Sequence, residues 1–194
     1  MVRKSSALIN LGCYCLYLPL INFLLSLNLK IETNELIRIM ALVKGDKIPE
    51  ILGKDQDGKE VKASDYAGRK LILYFYPKDN TPGCTAQACS LKDGNHELLE
   101  AGYQILGVSV DNETSHRKFI KKYSLPFSLI ADTDMKLVEE FGVWQEKTMM
   151  GRKYMGTIRT TFVIDEKGEI IHVISGRGVN TKEHADQILE LKLH

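Results

Sequence analysis

Four short runs along the chain are almost wholly apolar, and turn-forming residues bound each of them. They are KLILYFYP (70–77), GYQILGVSV (102–110), PFSLIAD (126–132) and TTFVID (160–165). Runs of this length, rich in aromatic and β-branched residues, predict strands buried on both faces. Helical spacing of apolar positions fills the gaps between them, over 82–101, 112–124 and 134–141. Upstream, Asp57-Gly58 between two short runs predicts a hairpin. Downstream, DEKGE (165–169) predicts a tight turn into the strand IIHVI, and a last helix is expected near 181–192 with Ile188, Leu189 and Leu191 inward. The segment VWQEKTMMGRKYMGTI (143–158) has no clean period and two glycines, so it reads as a long loop near the functional face.

Strands alternating with helices imply a sheet with parallel pairs and helices on both faces. The closing strand-turn-strand-helix adds antiparallel pairs. The expected class is α/β, similar to the thioredoxin arrangement: a central mixed sheet flanked by helices, with an N-terminal hairpin extension. No internal repeats or low-complexity segments occur.

The first forty residues differ from the rest. Residues 5–29 hold no charged side chain and follow Arg3 and Lys4, the pattern of a signal peptide or a single membrane anchor. Pro19 and several Asn and Ser residues dilute that run, and no A-x-A-like cleavage site follows it. Met40 opens MALVKGDKIPEI, which reads as a domain start, so 1–40 is an N-terminal extension (anchor, signal or mis-assigned start) and 41–194 the domain. Charge changes at the same place. Residues 1–40 carry four basic and two acidic side chains, and 41–194 carry 22 and 23. Localisation follows the choice: cytoplasmic, or membrane-anchored or exported if 1–39 is genuine.

The net charge of +1 gives no sign of a nucleic-acid surface. Four cysteines, Cys13, Cys15, Cys84 and Cys89, are too few for a disulfide-stapled secreted scaffold of this length. Cys13 and Cys15 read as inert apolar residues. Cys84 and Cys89 sit in TPGCTAQACS, behind a buried strand and at the mouth of a helix. Thr81 suits the N-cap, Pro82 the first helical position and Gly83 a close backbone approach. Cys84 then faces free amide groups at the positive end of the helix, a position that favours thiolate. In an unbroken helix the two α-carbons stand roughly 8–9 Å apart, beyond the ~7 Å limit for a disulfide. A bond between them therefore needs the first turns to unwind. Metal binding is a weak alternative, because C-x4-C lacks a second ligand pair and the five histidines are scattered. Each histidine reads as an exposed or satisfied side chain.

Pro77-x3-Thr81-x2-Cys84 matches the active-site signature of the peroxiredoxins, and TPGCTAQAC resembles their Q or bacterioferritin-comigratory branch. The resemblance runs from about 42 to 191 and includes GVSVD (107–111), GVWQEK (142–147) and YMGTIRTTFVIDEKG (154–168). It implies that Cys84 is the peroxidatic cysteine and Cys89 the resolving one. Thr81 would bond the peroxide and Cys84, Pro77 would shield the pocket, and Arg159 would be the active-site arginine. Trp144, Tyr154 and Met155 are as well explained by loop packing as by substrate contact.

The implied activity is reduction of hydrogen peroxide and organic hydroperoxides through a Cys84 sulfenic acid and a Cys84–Cys89 disulfide. Thioredoxin or a similar dithiol would reset it, in a monomer that needs no metal, haem, flavin or nicotinamide. Two rivals use the same thiols: a thioredoxin-type thiol–disulfide oxidoreductase, whose usual spacing is C-x-x-C, and a redox-sensing binding protein.

Overall fold

The computed structural model describes residues 41–149 and 151–193, so the expectations for 1–40, with Cys13, Cys15 and the apolar run 5–29, lie outside the described residues. Strand β3 (Lys70–Phe75) is the centre of a five-stranded sheet of order β5-β4-β3-β8-β9. It pairs parallel to β4 (Tyr103–Ser109), which pairs parallel to β5 (Ser128–Ala131). On its other edge β8 (Thr160–Ile164) runs antiparallel, followed by antiparallel β9 (Ile170–Ser175).

A continuous apolar run was needed here because successive side chains serve opposite faces. Ile72, Tyr74 and Tyr76 join one core with Cys84, Ala88, Leu91, Phe119 and Ile188. Leu71, Leu73 and Phe75 join the other with Leu137, Val138, Phe141 and Phe162. The first face is covered by α1 (Pro82–Asp93), α2 (Asn95–Glu100), α3 (Glu113–Tyr123) and α5 (His184–Leu189). The second carries α4 (Lys136–Glu140) and the hairpin β1–β2 (Ile51–Lys54, Glu60–Lys62). The expected α/β class with helices on both faces is therefore observed.

Local chemistry explains most boundaries. Asn112 caps α3 by accepting from the Ser115 amide at 2.9 Å. In the β1–β2 turn Gly58 takes φ +78°, and Asp55 Oδ1 accepts from the amides of Asp57 and Lys59. Two expectations need correction. The helix expected over 82–101 is divided at Gly94, whose added Cβ would lie 2.5 Å from the Cβ of Ala185. Helix α5 packs that closely, and glycine is what admits it. The segment 143–158 is a hairpin rather than a loop, β6 (Trp144–Met149) paired with β7 (Arg152–Thr157). Its residues 151–155 are all exposed, so no buried face imposes a period of two on the sequence.

Helix α5 has no capping side chain of its own. Its first-turn amides, of His184 and Ala185, donate instead to Ser90 Oγ of α1 at 2.7 and 3.2 Å. One hydroxyl on the cysteine-bearing helix thus does the work of an N-cap for the C-terminal helix.

Candidate functional site

Helix α1 begins where β3 ends, so the parallel β-α-β connection brings its first turn to the carboxyl edge of the sheet. Thr81 occupies the N-cap with extended backbone (φ −83°, ψ 150°), and Pro82 opens the helix as expected. The expected capping contact is not made. Thr81 Oγ1 turns back and donates to the carbonyl of Lys78 at 3.0 Å. The Thr81 side chain therefore leaves the first-turn amides for other acceptors.

Cys84 is only 1% exposed and lies in the first turn of α1. Arg159, at the start of β8, sends Nη2 to Cys84 Sγ at 3.3 Å and Nη1 to Gln87 Oε1 at 2.5 Å. The planar guanidinium thus bridges residues i and i+3 on one helix face. A Cβ on Gly83 would stand 3.3 Å from Arg159 Nη2, so glycine clears the path of the cation. The guanidinium and the helix N-terminus both stabilise negative charge on the sulfur. Pro77 is half-buried directly after β3, and Cys89 is half-buried five positions along α1. Both thiols are free and both lie within the helix, so the spacing of roughly 8–9 Å between their α-carbons applies. The backbone places Pro77, Thr81, Cys84 and Arg159 at one edge of the sheet, where Arg159 bonds Cys84, with Cys89 further along the helix. Trp144 starts β6 and packs against the second core, while Tyr154 and Met155 on β7 are 43% and 51% exposed.

Several residues of the site carried no sequence signal. Lys147 of β6 donates to the Thr157 carbonyl at 3.0 Å, and burial together with the charge of Arg159 pushes its ammonium below the ordinary value, with Cys84 opposing. Gln87 is fully buried, and its Nε2 has no partner among the described residues; the Tyr74 hydroxyl shares that state. Burial, with the nearby Asp79 carboxylate, pushes the Tyr74 phenol well above its usual range, so it stays neutral.

The loop ahead of α1 is anchored by buried charge. Asp79 Oδ1 accepts from Tyr76 Oη at 2.7 Å, and Oδ2 accepts from Ser115 Oγ at 2.7 Å and lies 2.9 Å from His116 Nδ1. His116 Nε2 meets the carbonyl of Ile130 at 3.0 Å. Both ring nitrogens lie against oxygen atoms, so His116 ties the Asp79 carboxylate to the backbone of β5. Burial would raise the Asp79 carboxyl, but the bonds from His116, Ser115 and Tyr76 outweigh it and hold it below its ordinary value. The second buried histidine, His184, meets Thr161 Oγ1 at 2.8 Å and Gln187 Oε1 at 3.0 Å. Burial pushes its pKa down to about 4 against the Gln187 bond. Both fit the expectation of satisfied histidines. Among the described residues no cluster of histidine, cysteine and carboxylate side chains could hold a metal ion, and no helix is long and apolar enough to cross a membrane.

A buried thiol bonded by a guanidinium at a helix N-terminus, on this sheet, finds close counterparts. The chain matches the AhpC/TSA family over residues 44–173. It is 43% identical over 151 residues to peroxiredoxin Bcp of Bacillus subtilis (strain 168), covering 78% of this chain and 95% of that one. Among solved structures, a cysteine-to-serine variant of Xylella fastidiosa PrxQ aligns with a TM-score of 0.70 at 30% identity, covering 77% of this chain and 94% of the other. The Xanthomonas campestris bacterioferritin comigratory protein, studied for its alkyl peroxide reduction activity, aligns with a TM-score of 0.67 at 33% identity, covering 75% and 96%. Fold and site together define a thiol-dependent peroxidase, an oxidoreductase on a thioredoxin-like frame. The chain belongs to the AhpC/TSA family, within its peroxiredoxin Q (bacterioferritin comigratory protein) branch.

Proposed function

We propose that Cys84 is the peroxidatic nucleophile for hydrogen peroxide and organic hydroperoxides, with Cys89 as the resolving thiol. The contact between Arg159 Nη2 and Cys84 Sγ carries this reading, since it puts a cation on the sulfur that must attack. The thiolate attacks one peroxide oxygen in line and the O–O bond breaks. The alkoxide or hydroxide that leaves takes a proton, Arg159 and the free amides stabilise the charge as it moves, and Thr81 holds the peroxide. Cys84 becomes a sulfenic acid. Cys89 then displaces its hydroxyl as water, forming the disulfide after α1 unwinds. A dithiol protein of the thioredoxin kind reduces that disulfide by exchange. Alkyl peroxide reduction by the Xanthomonas campestris relative supports organic hydroperoxides as substrates. Pro77 covers the pocket. Residues 41–194, as a monomer in the cytoplasm, suffice for the reaction, so a chain beginning at Met40 is expected to fold and turn over fully.

Stopped-flow oxidation tests the assignment. Cys84→Ser should lose the fast phase entirely, whereas Cys89→Ser should keep one round of oxidation and accumulate sulfenic acid. Equal fast phases in wild type and Cys84→Ser would overturn it.

A further inference from the structure

We propose that Asp111 and His116 are positioning residues that set the hydroxyl of Thr81, acting through the Lys78–Asp79 peptide. This rests on the proposed role of Thr81 at the peroxide. The N–H and C=O of one peptide share a plane and point in opposite directions. Here the N–H side, from Asp79, donates to Asp111 Oδ2 at 2.8 Å. The C=O side, from Lys78, accepts from Thr81 Oγ1 at 3.0 Å. A charged acceptor on the N–H polarises the unit and strengthens its oxygen as an acceptor.

Asp111 is itself held, since Ser109 Oγ donates to the same Oδ2 at 2.9 Å. The side chain of the clamped residue is fixed as well, by Tyr76, Ser115 and His116 on the buried Asp79 carboxylate. Asn80, the next residue, has φ +58°, a left-handed conformation that asparagine tolerates and that the clamp keeps in place. A hydroxyl has a single proton to give. With that proton committed to Lys78, Thr81 meets a hydroperoxide with its lone pairs, as acceptor for the peroxide O–H. Donation to the leaving oxygen then falls to Arg159 and the helix amides. The aspartate of GVSVD and the histidine of α3 thereby govern the site from two elements beyond the cysteine helix.

The test is a double-mutant cycle on the full chain, with two probes of Cys84: hydrogen peroxide by stopped flow and iodoacetamide alkylation. Thr81→Val should slow peroxide oxidation by about tenfold, the worth of one hydrogen bond. Asp111→Asn and His116→Gln should slow it to a similar extent while alkylation stays within about twofold, because alkylation has no use for Thr81. Combined with Thr81→Val, neither should add a further loss. Additive losses, or alkylation slowed in parallel, would overturn the inference. Asp111 is half-exposed, so Asp111→Asn decides the matter even where His116→Gln fails to fold. A Thr81→Val chain at wild-type speed would instead sink the role of Thr81, and the inference with it. That outcome is distinct from a slow Thr81→Val beside a fast Asp111→Asn.

Discussion

The loop Tyr76–Thr81 and the helix Pro82–Asp93 are neighbours in sequence and are built in opposite ways. The loop is short and irregular, yet Asp79 ties it to the turn after β4, to α3 and to β5 through Asp111, His116 and Ile130. The helix is regular, yet it holds its place by packing, by two bonds from Arg159, by Gly83 near its start and by Gly94 at its end. Neither end is held by a capping side chain, since Thr81 makes no cap bond and Gly94 has no side chain. Regular structure here is the part suited to move, and the irregular turn is the part suited to stay. In the proposed cycle, a helix that unwinds would find its geometry again because the turn stays in place.

The sharpest way to break this contrast is to remove the anchor. His116→Leu removes one of three side-chain partners from the buried Asp79 carboxylate, at an expected cost of about 1–3 kcal/mol in urea unfolding. A cost under about 1 kcal/mol would mean that the loop is held by packing alone. Acid offers a second route, aimed at the helix side. His184, at the start of α5, has a folded pKa of about 4, below the unfolded value of about 6.5. The unfolded chain binds more protons in that window, so its contribution is complete above pH ~6.5 and lost as pH falls to ~4. The loss should reach about 3 kcal/mol by urea midpoints and vanish in His184→Gln. The lowered Asp79 carboxyl acts at lower pH, below the ordinary aspartate value near 3.8, so mild acid loosens the helix side first.

Oxidation sharpens the comparison directly. Hydrogen exchange should rise across 82–93 in the disulfide form while 76–80 and the sheet strands stay protected. Equal protection of 82–93 in both forms would point to an intermolecular or one-cysteine cycle. Smallest is Ser90→Ala, which removes the shared cap and should cost about 1 kcal/mol.

Legibility in the sequence followed burial. β3 was readable because both of its faces are covered, and α3 because its apolar positions recur at helical spacing. The hairpin β6–β7 was hidden, since side chains exposed along β7 leave alternation nothing to record. The break at Gly94 depends on Ala185, a contact 91 positions along the chain that local pattern does not encode. At the site, the N-cap position of Thr81 and the pairing of Cys84 with Arg159 answer to residues that stood out in compact motifs. Gln87, Lys147 and the Asp79–His116 pair did not stand out, because each matters through partners brought up by the fold. Thr81 was assigned the right position and the wrong bond: the cap rule describes amides, and here the nearer Lys78 carbonyl takes the proton.

Under the proposed disulfide cycle, the hydroxyl shared between α1 and α5 would give the chain a remote indicator of its own redox state. Ser90 follows Cys89 directly, so the proposed movement of Cys89 toward Cys84 would pull the cap from the His184 and Ala185 amides, 94 and 95 positions away. A fluorophore on the exposed Lys192 should therefore change anisotropy when peroxide is added, far from any reacting atom. In Ser90→Ala, where the two helices no longer share a bond, the same dye should read alike before and after oxidation.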